Sequence, residues 1–176
     1  MEQLLEALKR LQDFNIIFTM PNSDPDSRTI IEKIEKFCLG NEKAIAFTSL
    51  GQIRYLSCLK YVDLVIGNSS SGLLEVPSFQ VPTINIGDRQ RGRIKAETVI
   101  DCDPMEDKIC KAIDMALSNK FQETCQMASN PYGNGGAAAA IVKVLGRISL
   151  KDIVKKSFFD LPNIASAIEA AQSSKT

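Results

Sequence analysis

The sequence predicts a doubly wound α/β domain, a parallel β-sheet of Rossmann-like layering with helices on both faces. Three observations predict it. Four short runs are almost wholly apolar, with little of the polar alternation of a half-exposed strand. Strands of that kind are buried on both faces, as in a parallel sheet covered above and below. Segments between them carry apolar residues at helical spacing, and each run ends in small or turn-forming residues of the kind that line the carboxyl edge of such sheets.

Taken in order, Leu4, Leu5, Leu8 and Leu11 recur at helical spacing and give a first helix ending near Asp13. Residues 15–20 form an apolar run of strand length. Pro21 to Pro25 is turn chemistry, and Asp26 or Ser27 can cap the next helix. That helix carries Ile30, Ile31, Ile34, Phe37 and Cys38 on one face and stops at Gly40. A second strand over 44–48 leads through Ser49-Leu-Gly51 into a helix containing Leu56, Leu59 and Tyr61. Residues 63–67 are a third strand, followed at once by Asn68-Ser-Ser-Ser-Gly72 and a short helix. Residues 82–87 are a fourth strand. Beyond Asp103 the pattern turns helical, over 108–117, 137–145 and 150–159. The expected division is a nucleotide-binding domain over 1–149 and a helical tail over 150–176.

Composition narrows the function. The chain has 176 residues, 44% hydrophobic and 24% charged, enough for a real core. Lysine plus arginine and aspartate plus glutamate number 21 each, so no basic excess points to nucleic acid. No apolar run reaches the roughly 18 residues of a membrane span, and residues 1–13 read as an amphipathic helix rather than a signal peptide. Five scattered cysteines without a C-x-x-C pair read as free thiols in a reducing cytoplasm, with no metal site expected. There is no histidine, which removes the commonest general base.

The stretch Val65-Ile-Gly-Asn-Ser-Ser-Ser-Gly-Leu-Leu-Glu75 is the most informative. A strand runs into small polar residues that start a helix, whose first amides lack intrahelical partners and favour an anion. Ser69 and Ser70 add hydroxyls. At 1.5 Å per residue Glu75 lies about 9 Å further along, the distance from a diphosphate to its ribose. A carboxylate there can accept from two vicinal hydroxyls. The plainer reading is that the serines cap a helix and Glu75 is a surface charge. A second loop, Gly87-Asp-Arg-Gln-Arg-Gly-Arg-Ile-Lys95, sets four cations after a buried strand. Arginine forks suit phosphate and carboxylate; the competing reading is a solvated loop.

Together these stretches resemble the hydrolysing UDP-N-acetylglucosamine 2-epimerases. Gly67 to Glu75 carries the resemblance, followed by Pro77-Ser-Phe and by Pro82 through Arg93. Phe47-Thr-Ser-Leu-Gly51 and Asn130-Pro-Tyr-Gly-Asn-Gly135 join them. The resemblance implies the C-terminal, UDP-binding domain of a glycosyltransferase-B-like enzyme. It places Ser69 and Ser70 on the diphosphate, Glu75 on the ribose, and Arg89 and Asn22 on the nucleotide. Arg93 receives a weaker binding role, and Leu50 lies where backbone groups face the uracil.

The family's catalytic aspartate, glutamates and histidine belong to the other half or to the strand entering this one. No catalytic residue and no cofactor are therefore expected here, and the chain alone should be inactive. The implied whole enzyme is a cytoplasmic homo-oligomer converting UDP-N-acetylglucosamine to UDP and N-acetylmannosamine for sialic-acid-type sugars. Two alternatives stay open: the donor-binding domain of a UDP-sugar glycosyltransferase, and a UDP-sugar-binding module without turnover. Within the tail, residues 150–159 would be the helix that crosses to the missing domain, exposing Phe158 and Phe159.

Overall fold

The structure, a computed structural model, describes residues 1–21, 27–151 and 154–155. Residues 1–134 form one compact unit and 135–176 a second. In the first unit, helix α1 (Glu2–Leu8) precedes strand β1 (Ile16–Thr19), and α2 (Ser27–Leu39) leads to β2 (Ala44–Phe47). Helix α3 (Gly51–Cys58) is followed by β3 (Val65–Gly67), one-turn α4 (Ser71–Leu74) and a 3-10 turn (Val76–Phe79). Then come β4 (Thr83–Ile86), β5 (Val99–Cys102), α5 (Glu106–Ala116) and α6 (Asn119–Met127). In the second unit, α7 (Ala137–Leu145) starts after Gly136, whose φ of 82° lies in the left-handed region. The tail expectation for Phe158 and Phe159 lies outside the described residues.

All strand pairs are parallel, as their apolar character predicts. They form two ladders among the described residues: β1 with β2, and β3-β4-β5. The registers set Ile16 against Ala44, Val65 against Thr83, and Thr83 against Val99. Strand β5 and helix α6 were not anticipated. The Val99–Cys102 run is short and carries Asp101, which hides it, whereas Ser118 caps α6 by accepting the Phe121 amide at 3.3 Å.

Successive side chains of β3 point to opposite faces, as the pleat requires. Leu64 and Ile66 join Ile84, Ile100, Ala7 of α1 and Ile109 and Ile113 of α5 in one core. Val65 joins Leu56, Leu59, Val76 and Val81 in a second core on the other face. The sheet is thus covered on both sides. Where α4 meets β4 the packing is tight enough to demand glycine: a Cβ on Gly72 would stand 2.7 Å from Thr83 Cγ2. Thr83 Oγ1 also donates to Gly72 O at 3.1 Å.

Candidate functional site

Adjacent parallel strands deliver their following loops to the same edge of the sheet. Here β3 and β4 are hydrogen-bonded neighbours, so the loop from Asn68 and the loop from Gly87 emerge side by side. A φ of 77° at Gly87 turns the chain sharply off β4. Gln90 then reaches across, its Nε2 donating to Asn68 O at 2.8 Å. The side chain of Gln90 is buried, and this bond ties the cationic loop to the serine loop.

In the serine loop, Ser69 is exposed and Ser70 half-buried. Ser69 Oγ accepts the Ser71 amide at 3.3 Å, so the capping role foreseen as the plainer reading is present. The following helix is one turn long, and Glu75 is its C-cap rather than a residue partway along it. The macrodipole of one turn is small, so anion affinity here rests on hydroxyls, loop amides and neighbouring cations. Glu75 is half-buried beside Tyr55. Burial pushes the Tyr55 phenol above its ordinary pKa; the hydrogen bond to Ser71 opposes that shift and the Glu75 charge adds to it. Tyr55 is therefore neutral, and its hydroxyl lies 2.6 Å from Ser71 Oγ.

In the cationic loop Arg89, Arg91 and Arg93 are exposed, and none makes a salt bridge among the described residues. Lys95, by contrast, is spent on structure, with its Nζ 2.6 Å from Asp101 Oδ2. Burial would raise the Asp101 pKa, but hydrogen bonds from Lys95 and Asn85 and the Lys95 charge outweigh it and hold the carboxyl below its ordinary range. Among the described residues the cluster of four cations thus splits into three arginines without a salt bridge and one tethered lysine.

The downstream segment binds both loops in place. Asn130 Nδ2 donates to Leu74 O at 2.8 Å and to Ser78 Oγ at 2.7 Å, and Asn130 Oδ1 accepts the Tyr132 amide at 2.9 Å. Tyr132 Oη donates to Ile94 O at 2.9 Å. The sequence marks this Asn130–Gly135 stretch without assigning it a task. Gln90, Asn130 and Tyr132 fall within the motif stretches but receive no role there, because each acts by reaching the main chain of a segment distant in sequence.

Of the sequence-predicted residues, Ser69, Ser70 and Glu75 stand on one loop and Arg89 and Arg93 on its neighbour. Leu50 lies apart, with Ile17, Phe47, Ile53 and Arg54 lining an open hollow of about 480 Å³ between the first ladder and α3. Asn22 lies outside the described residues. A hollow of about 220 Å³ beside β5, lined by Asp101, Asp103 and Lys108, contains none of these positions. All five cysteines are free, and no helix among the described residues is long and apolar enough to cross a membrane.

Residues 1–146 match the family model described as UDP-N-acetylglucosamine 2-epimerase. Polysialic acid biosynthesis protein P7 of Escherichia coli is 38% identical over 180 residues, covering 96% of this chain and 43% of that protein. The GDP/UDP-N,N'-diacetylbacillosamine 2-epimerase (hydrolyzing) of Campylobacter jejuni is 37% identical, covering 90% and 41%. Among solved structures, S. aureus MnaA with UDP aligns at a TM-score of 0.68 and 22% identity, covering 90% and 43%. The Methanocaldococcus jannaschii UDP-GlcNAc 2-epimerase with UDP-GlcNAc and UDP aligns at 0.63 and 23%, covering 82% and 39%. These structures share the fold, and the chain spans about two fifths of the length of the relatives it matches.

Proposed function

The chain belongs to the UDP-N-acetylglucosamine 2-epimerase family, and from that premise we propose that it holds the uridine diphosphate of a nucleotide sugar for an enzyme whose chemistry lies elsewhere. The observation that carries this reading is the Gln90 bridge. It joins a hydroxyl-rich loop to a loop whose three arginines make no salt bridge among the described residues, at one edge of two adjacent strands. In this assignment Ser69 and Ser70 hold the diphosphate, with Arg89 spreading its charge and Arg93 in a lesser supporting role. Glu75 takes the ribose hydroxyls, Asn22 contacts the nucleotide, and the backbone at Leu50 meets the uracil beside an apolar hollow.

The reaction proposed for the whole enzyme is hydrolytic epimerisation of a UDP-linked 2-acetamido sugar. UDP leaves by anti elimination with loss of the carbon-2 proton to give a glycal; water then adds across that double bond, its hydroxyl to carbon 1 and a proton to the opposite face of carbon 2, giving N-acetylmannosamine. The relative's name, polysialic acid biosynthesis protein, supports a sialic-acid-type outlet for that product. This chain's contribution is to stabilise charge on the departing diphosphate with donors already in place and to orient the sugar. Removing the carbon-2 proton needs a base within hydrogen-bond reach. Arginine cannot act as one, serine without a partner is a poor one, and Glu75 is committed to the ribose. We place the base outside this chain, which then turns over nothing alone; UDP release by the chain that is abolished by substituting Asp24, Asp26 or Asp88 would overturn that placement.

Calorimetric titration of the isolated chain with UDP tests the assignment. Weak binding is expected, reduced by about 1–3 kcal/mol in Glu75→Ala, the cost of a lost charge-assisted hydrogen bond. A 2′,3′-dideoxy-UDP should bind the wild type and the variant nearly alike. Equal losses for both ligands would sink the ribose role, and no heat at millimolar UDP would sink the binding reading itself.

A further inference from the structure

Among the described residues, side chains from other segments grip the stretch Asn68 to Glu75 at four points. Gln90 bonds the carbonyl of Asn68, Thr83 that of Gly72 and Asn130 that of Leu74. The fourth grip differs in kind. Tyr55 of α3 places its Oη 2.6 Å from Ser71 Oγ, so it meets a side chain where the other three meet the main chain.

Ser71 is the residue through which the two candidate binding groups of this loop are joined. Its amide donates to Ser69 Oγ at 3.3 Å, and its carbonyl accepts the Glu75 amide at 2.9 Å. The first bond occupies a lone pair of the Ser69 oxygen and leaves the Ser69 proton for an outside acceptor. The second closes the single turn that ends at Glu75. A shift of Ser71 therefore displaces the hydroxyl proposed for the diphosphate and the carboxylate proposed for the ribose together. A helix of one turn does not sustain itself, so the geometry of α4 is imposed from outside.

Tyr55 is placed to impose it. Its ring is half-buried against the cluster of Leu59, Val76 and Val81, which contains the residue that follows Glu75. The ring thus rests beyond one end of the turn while the hydroxyl holds the other end at Ser71. Burial and the nearby Glu75 charge keep the phenol protonated, so it brings no negative charge of its own towards a diphosphate. Position 55 falls outside every stretch that carries the family resemblance, and Ser71 lies inside one without a role.

We propose that Tyr55 is a positioning residue of the nucleotide site, holding Ser69 and Glu75 through Ser71 at the separation a nucleoside diphosphate requires. It touches no ligand in this assignment. The inference rests on the reading of this loop as the diphosphate and ribose site. A role in packing alone would need the ring of Tyr55 and not its hydroxyl, and that difference decides the test.

The test is calorimetric titration of the 176-residue chain with UDP, in wild type, Tyr55→Phe, Ser71→Ala and the double variant. Urea denaturation and backbone hydrogen exchange are measured on the same proteins. UDP affinity should fall about three- to tenfold in each single variant, the scale of one lost hydrogen bond. It should fall no further in the double variant, because both substitutions break the same bond. Ser71→Thr keeps a hydroxyl and should retain most of the wild-type affinity. Without UDP, the amides of Ser71 and Glu75 should exchange faster in Tyr55→Phe, with that of Ile84 unchanged. Wild-type UDP binding alongside an unweakened Tyr55→Phe would overturn the Tyr55 inference alone. So would losses that add in the double variant, unaltered exchange at Ser71 and Glu75, or losses that track a lowered urea midpoint. A wild type that takes up no UDP at millimolar concentration would instead overturn the nucleotide reading, and the part of Tyr55 with it.

Discussion

The β3-β4-β5 ladder carries Thr83, Asn85 and Asp101 within its strands and the β1-β2 ladder only Thr19, yet the first is the better buried. Ile84 at the centre of β4 is fully buried, and helices or turns cover it on both faces. In the β1-β2 ladder Ile17 is 46% exposed, Ile45 51% and Phe47 38%. The loops proposed to hold the nucleotide leave the better-buried ladder and are pinned by Gln90, Asn130 and Tyr132. What the difference teaches is that apolar composition alone does not set burial: the candidate-site loops leave the well-buried ladder, while the more apolar pair exposes every second residue.

The largest expected contrast is between core positions of the two ladders. Ile84→Ala should cost about 2–5 kcal/mol, the range for emptying a buried aliphatic site, whereas Ile45→Ala should stay within about 1 kcal/mol. Urea denaturation of both variants checks it; equal losses would break the comparison. Next comes Gly72→Ala, expected to cost about 1–3 kcal/mol by overpacking against Thr83 Cγ2. Thr83→Ser removes that methyl and keeps the hydroxyl, so the double variant should recover much of the loss. A purely additive double-mutant cycle would assign the cost to some other contact.

Asn130→Ala follows. It removes the bonds to Leu74 O, Ser78 Oγ and the Tyr132 amide and should cost roughly 1–2 kcal/mol, with faster amide exchange at Leu74 and Glu75. Unaltered exchange there would show that Asn130 does not hold the loop. The smallest effect belongs to Asp101, whose pKa is lowered in the folded state. Its stabilising contribution is fully present above the ordinary aspartate pKa of about 3.9 and is lost as pH falls through the lowered folded value. Because the side chain is more than half exposed, solvent screening keeps this contribution small. Acid titration of wild type and Asp101→Asn should converge at low pH; curves that diverge further on acidification would contradict the assignment.

Much of this contrast was legible in the residues. The alternation of apolar runs and helical segments placed β1 to β4 and their carboxyl-edge loops, since burial on both faces writes itself into composition. The serine and arginine stretches marked the candidate site for the same local reason. Strand β5 was illegible because Asp101, paired with Lys95 and Asn85, breaks the apolar pattern. The split between the ladders was illegible too, because pairing joins residues far apart in the chain. Gln90 reads as an ordinary polar loop residue until Asn68 O is found beside it. The one-turn length of α4 likewise depends on the bend into Pro77, which places Glu75 at a helix end rather than along a helix.

The most direct test of the central claim is residue-resolved NMR of the labelled chain titrated with UDP. The account predicts saturable shifts at Ser69, Ser70, Glu75 and the amides of 89–93, smaller changes near Leu50, and none around Asp103 and Lys108. Shifts centred on the β5 hollow, or none at millimolar UDP, would contradict it.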